Sequence, residues 1–233
     1  MRVHAALSML RVTTAFAAAL SLFLPVGRSL LVGLTPGGGI GAALLSTKAA
    51  YAQSATDLLD SGLDKAESGN LKGAIADWTK AIEMYPRYGI AYYNRGVARY
   101  ELGDFRGAIA DYTKAIEYDP NYASAYNNRG NSKDRLKDHQ GAISDYTKAI
   151  KIKPKYSRAY FNRGNSKDEL KDYQGAIFDY TKAIKFSPEY YKAYTNRGIT
   201  LEKAGNLKDA CKDWKKAVNL GDTKPIEWVR NQC

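Results

Sequence analysis

Apolar and small residues along this chain fall at helical spacing, in a pattern that recurs every 34 residues. The frame is clearest at 123–156, which matches 157–190 at 25 of 34 positions, and it also fits 55–88, 89–122 and 191–224. When each unit is numbered 1 to 34, its first half carries small or apolar residues at positions 3, 4, 8 and 14, as in Ala125, Tyr126, Gly130 and Leu136. The second half carries them at 17, 20, 21, 24, 27 and 28, as in Tyr173, Ala176, Ile177, Tyr180, Ala183 and Ile184. Each set marks one face of a helix, so every unit reads as a helix pair. Gly69-Asn70, Gly103-Asp104 and Gly205-Asn206, or Lys-Asp in the two central units, predict a short turn between the helices. Pro86, Pro120, Pro154 and Pro188 stand where the second helix must end.

A fixed period of this length predicts a stacked array in which each unit buries its apolar face on its neighbours. The expected fold is an all-α solenoid of five antiparallel helix pairs within residues 53–224. Pro225, Ile226, Trp228 and Val229 then predict a short capping helix over 225–233. The end units are atypical, as caps should be: the first reads Leu58, Asp60, Ser61, Gly62, and the fifth ends in Asp222 instead of Pro.

The wording Y-x-N-R-G, then L-G-D-x-x-x-A-I-x-D-Y, then A-I-x-x-x-P resembles the tetratricopeptide repeat, and the resemblance covers residues 55–224. It implies a right-handed superhelix with a concave groove lined by first helices, and a scaffold for peptides or protein segments. The Y-x-N-R-G form is similar to that of exported bacterial and cyanobacterial members. Two positions depart from the family. Arg95, Arg129, Arg163 and Arg197 hold position 7, where a bulky apolar residue is common, and Arg99, Lys133, Lys167 and Leu201 hold position 11, where Tyr is common. The position-5 lysine of chaperone-tail-binding relatives is missing, which disfavours that ligand class.

Residues 1–52 hold Arg2, Arg11, Arg28 and Lys48 and no acid, with apolar runs at 12–24 and 30–45. Neither run reaches the ~20 residues that a spanning helix needs. The second is interrupted by Pro36 and Gly37 to Gly39. Ala50-x-Ala52 is a small-residue cleavage pattern, so an export leader cut after Ala52 is expected. Periplasm, thylakoid lumen and secretion all remain open as destinations, with an uncleaved membrane anchor as the alternative. Subtracting the four leader cations from the formal charge of +11 leaves +7. That balance favours an acidic protein or peptide partner and falls short of arguing for nucleic acid.

Residues found in every unit are explained by the shared fold. Asp77, Asp111, Asp145, Asp179 and Asp213 recur, as do Lys80, Lys114, Lys148, Lys182 and Lys216 three residues on, a spacing that predicts ion pairs along one helix. An interhelical pair between the recurring Arg and Asp, such as Arg129 with Asp145, is also expected. Positions 2, 6, 9 and 13 share a face of the first helix that points away from the apolar set. It holds Asn94, Asn128, Asn162 and Asn196 at position 6, Asn131 and Asn165 at position 9, and Arg158 and Lys192 at position 2, bordered by Tyr93, Asn127 and Phe161 at position 5. An amide both donates and accepts, so such a ladder suits a peptide backbone of any sequence, with Arg158, Lys192 and Phe161 selecting side chains. The resemblance assigns backbone holding to the position-6 Asn; contacts between repeats are the competing role.

No constellation for chemistry stands out. His139 is the one histidine after the leader and replaces a packing aromatic, and Gly37 to Gly39 lack the Lys-Ser/Thr of a phosphate loop. No cofactor, metal, small-molecule substrate or enzymatic role is expected. Cys211 replaces the Ile of other units and Cys233 ends the chain; in an oxidising compartment this even pair invites a bridge. The chain therefore reads as an exported, non-catalytic scaffold that binds a peptide or extended segment in its groove. The alternative is an assembly factor that meets a membrane or envelope complex through its outer surface.

Overall fold

The structure, a computed structural model, describes the backbone from Ile40 onward and side chains from Ser54 to Cys233. Most of the expected leader, residues 1–39, lies outside the described residues. Among the described residues there are helices and no strand: α1 (Ile40–Glu67), α2 (Leu71–Met84), α3 (Gly89–Glu101), α4 (Phe105–Tyr118), α5 (Ala123–Arg135), α6 (His139–Ile152), α7 (Ser157–Glu169), α8 (Tyr173–Phe186), α9 (Tyr191–Lys203), α10 (Leu207–Asn219) and α11 (Ile226–Gln232). Helix α1 starts well before residue 55 and runs through the position of the expected cut after Ala52. No helix among the described residues is long and apolar enough to cross a membrane.

The chain divides into two compact units, one ending at Ala98 and the other running from Arg99 to Cys233. In the first, α1 packs along α2. In the second, α5 pairs with α6, α7 with α8 and α9 with α10, each second helix also touches the next first helix, and α11 packs on α10. This is the α-solenoid arrangement of stacked helix pairs.

Local chemistry sets the helix boundaries. Asn70, Asp104, Asp138, Asp172 and Asn206 cap the second helices, each side chain accepting from a backbone N–H three residues on. The residue before each cap is left-handed. Gly69, Gly103 and Gly205 take φ of 82–84°, while the central units place Lys137 (67°) and Lys171 (62°) there. A side chain in that region costs about 1–2 kcal/mol, which glycine avoids. Close packing fixes a second glycine. A Cβ on Gly130 or Gly164 would sit 2.6 or 2.8 Å from the ring of Tyr146 or Tyr180, so the aromatic at position 24 presses on bare backbone at position 8.

Among the described residues, the recurring Asp of the later units (Asp145, Asp179 and Asp213) forms no ion pair with the Lys three residues later that the helical spacing suggested. It turns inward, to 0% exposure at Asp179, and meets the first helix of its own unit. Arg163 Nε and Nη2 reach its two oxygens at 2.9 and 2.7 Å, and Lys167 Nζ lies 2.9 Å away. Arg129 and Lys133 hold Asp145 in the same way, Arg197 holds Asp213, Arg99 holds Asp111, and Ser61 with Lys65 holds Asp77. The cations at positions 7 and 11, the departures from the family wording, are thus the counter-ions of position 23. The arginines also cross to the preceding repeat: Nη1 of Arg95, Arg129, Arg163 and Arg197 donates to Thr79, Thr113, Thr147 and Thr181 at 2.9–3.1 Å. Each arginine therefore fastens its own helix pair to the one before.

Candidate functional site

In the second unit the first helices α5, α7 and α9 meet along a polar seam. Asn162 Nδ2 donates to Asn131 Oδ1 (2.9 Å) and Asn127 Oδ1 (3.1 Å), and Asn196 Nδ2 donates to Asn165 Oδ1 (2.8 Å). The Tyr180 hydroxyl donates to the same Asn165 oxygen at 2.8 Å, and the Tyr146 hydroxyl lies 2.8 Å from both Asn131 Oδ1 and Asp134 Oδ2. Burial raises the pKa of both tyrosines far above the usual phenol range, so they remain protonated donors. Further along, Ser166 donates to Asp134 and Thr200 to Asp168, and His139 Nδ1 lies 3.0 Å from Asp134.

This seam fixes which end of each amide is left over. The Asn165 oxygen accepts two donors, while Asn131 Oδ1 accepts from Asn162 and competes with Asp134 Oδ2 for the single Tyr146 hydroxyl proton. Their NH2 groups have no partner among the described residues and are not buried. Asn127, Asn131, Asn162, Asn165 and Asn196 of the predicted set are thus brought into contact across repeats.

Other predicted residues separate from this group. Asn94, in the first unit, is 1% exposed and its Nδ2 has no partner among the described residues, so it is not presented to a ligand. The reason lies in the first repeat, where Leu59 and Leu63 occupy the positions that supply amide oxygens later in the chain. Asn127, though part of the seam, is likewise fully buried and donates to Asn128 Oδ1 at 3.1 Å. Tyr93 is half-buried in the first unit. The first unit instead has an apolar core built from Leu59, Leu63, Ala66, Trp78 and Ala98, with Trp78 Nε1 donating to the Leu59 carbonyl at 3.1 Å. A depression of about 580 Å³ on α1, lined by Asp57, Asp60, Ser61, Asp64, Lys65 and Ser68, opens to solvent.

Three predicted residues converge elsewhere. Phe161 of α7 and Lys192 and Asn196 of α9 line a cavity of about 490 Å³ with Tyr191, Thr195 and Ile199. Its remaining wall comes from the C-terminal segment: Asp222, Lys224 and Trp228. Phe161 is held between Tyr190 and Tyr180, with ring centroids at 4.9 and 5.8 Å, and burial pushes the Tyr190 hydroxyl up to about 12. Trp228 packs at a tilt of 55° against the buried Trp214, with ring centroids 5.3 Å apart. A disulfide joins Cys211 on α10 to Cys233 beyond α11, closing the cap that carries Trp228. Asp222 accepts from Thr195 Oγ1 and from the Lys224 backbone N–H, so its carboxylate is occupied. Arg158, Lys192 and Lys224 have no acidic partner among the described residues, in contrast to the arginines of the helix pairs. Sequence reasoning missed the contribution of the cap, although Trp228 after a helix-starting Pro225 was a visible signal.

Models of the tetratricopeptide repeat match residues 89–122, 123–156 and 157–190, and two further models of that repeat match 62–103 and 179–212. No curated protein sequence matches the chain. Among solved structures, that of MamA is 28% identical over 68% of this chain and 93% of its own, with a TM-score of 0.65. PilF of Pseudomonas aeruginosa is 20% identical over 75% and 80% of the two chains, with a TM-score of 0.67. YrrB, described as a TPR protein with an unusual peptide-binding site, is 18% identical over 81% and 94%, with a TM-score of 0.64. The last two show likeness of fold alone.

Proposed function

We propose, from the premise that this chain belongs to the tetratricopeptide repeat family, that it is a non-catalytic scaffold holding an extended protein segment on its first-helix face. The observation that carries the reading is the oriented amide seam. The unpartnered NH2 groups of Asn131 and Asn165 suit the carbonyls of an extended backbone, and Arg158, Lys192 and Phe161 flank them. The fold-level likeness to YrrB, with its peptide-binding site, supports the same class of ligand. Export through the N-terminal segment is part of the proposal, and the Cys211–Cys233 disulfide supports it, because such bonds persist in oxidising compartments.

The second reading, an assembly factor working through its outer surface, draws on one feature. Phe178 on α8 is 55% exposed, with Lys182 Nζ 5.2 Å from its ring centre. Capture from native extract separates the two. If the groove binds, Arg158→Glu/Lys192→Glu loses the partner while Phe178→Asp/Lys182→Glu keeps it. The reverse result moves function to the outer face and overturns the groove reading.

A further inference from the structure

Resting on the groove reading, we infer that the cavity between α7, α9 and the C-terminal cap is a side-chain pocket for a large apolar residue flanked by carboxylates. The walls are aromatic and aliphatic: Phe161, Tyr191, Ile199 and Trp228. At about 490 Å³ it is within the size range of small-ligand pockets and takes one large side chain with part of its backbone. Asn196, at the head of the amide seam, also lines it, so a backbone lying on the seam delivers a side chain directly into it.

Charge decides the neighbours of that side chain. Lys192 and Lys224 line the cavity, Arg158 is exposed near Phe161 on the same helix, and none of the three has an acidic partner among the described residues. The one acid in the lining, Asp222, is 7% exposed and already accepts two hydrogen bonds. The wider surface agrees: residues 151–233 carry eighteen Lys and Arg against ten Asp and Glu, while 99–150 carry eight of each. An acidic segment is therefore attracted to this end of the chain. The protein's own N-terminal segment, cationic and without acids through residue 52, is repelled from it.

The cap makes the pocket. Trp228 and Lys224 belong to the segment tied down by the Cys211–Cys233 disulfide, so opening that bond frees one wall. The ligand-selecting residues therefore include a terminal element that contributes no repeat of its own.

The test is fluorescence anisotropy with the full chain, disulfide intact, and three labelled probes: Glu-Glu-Trp-Glu-Glu, Glu-Glu-Ala-Glu-Glu and Lys-Lys-Trp-Lys-Lys. The first should bind at least tenfold more tightly than either of the others, and weaken as salt is raised. Lys192→Glu/Lys224→Glu should cost at least tenfold and invert the charge preference, and Phe161→Ala should remove the advantage of Trp over Ala. Circular dichroism melts check that each variant is folded, and Lys224→Glu alone, at an exposed site, covers the case in which Phe161→Ala unfolds. Equal binding of the Trp and Ala probes, or binding indifferent to Lys224, overturns the pocket. Self-association of the chain that competes with the probe identifies a second copy as the occupant and also overturns it. If no probe binds while native capture still depends on Arg158 and Lys192, this inference fails and the groove reading survives.

Discussion

Removing the carboxylate of Asp179 tests the account of what holds consecutive helix pairs together. In Asp179→Ala, three charge-assisted bonds disappear, from Arg163 Nε and Nη2 and from Lys167 Nζ. Two cations, with side chains only 13% and 20% exposed, are left facing each other. Deleting one partner of a buried pair costs about 3–5 kcal/mol. Because both cations keep some access to water, the lower end, about 3 kcal/mol, is expected. In a chain of this length that corresponds to a fall in Tm of about 6–12 °C. The loss should also spread, because Arg163 Nη1 holds Thr147 of the preceding repeat at 3.0 Å and its guanidinium is no longer oriented. Thermal melts followed at 222 nm, in a double-mutant cycle with Arg163→Met, read both effects. Arg163→Met/Lys167→Met/Asp179→Leu should recover much of the stability lost by Asp179→Ala, since apolar replacement of all three charged groups leaves no orphaned charge. A fall below 1 °C in Asp179→Ala, or strictly additive losses in the cycle, would refute the reasoning.

Three further outcomes are expected. Lys171→Gly should raise stability by about 0.5–1 kcal/mol, because φ of 62° is strained for lysine and glycine's extra chain entropy offsets only part of the relief; urea denaturation measures it. Burial opposes the charge of Asp77, but hydrogen bonds from Lys65 and Ser61 hold its pKa below the ordinary value of 3.8. Its contribution is therefore present above about pH 4 and lost as pH falls through the lower folded value; Lys65→Met should flatten that acid limb in melts between pH 2 and 5. Reducing the Cys211–Cys233 bond, which spans 22 residues, should remove about 3 kcal/mol from the cap and raise amide exchange in α11, leaving α5 to α8 unchanged.

The period, the helix pairs and the Arg129–Asp145 contact were legible in the sequence, because a side chain repeated at one place in every unit has to serve a contact repeated in every unit. The partner of the recurring Asp was misread where local spacing alone was used. Lys148 is near Asp145 along the helix, but the carboxylate faces the neighbouring helix, where Arg129 and Lys133 wait. The amide seam was half legible. Asparagines at positions 6 and 9 were visible as one stripe, yet their mating across 31 residues depends on the rotation between successive pairs, which no single helix encodes. Asn94 shows the same limit: its residue type matches Asn162, and only the Leu59 and Leu63 beneath it reveal that it is buried. The cap pocket was illegible because its walls come from three elements separated by up to 67 positions, Phe161 to Trp228.

The seam also bears on how this array can change in length. Asn162 meets Asn131 as Asn196 meets Asn165, and Ser166 meets Asp134 as Thr200 meets Asp168. A duplicate of residues 157–190 placed after the original would find every one of these partners already in register, with its arginine opposite Thr181. A duplicate of the first repeat placed after the original would set Leu63 and Ala66 of the original against Asp60 and Asp64 of the copy, with Ser61 where an arginine should face Thr79. The gene can therefore lengthen the protein from the middle, by copying, without inventing a new joint.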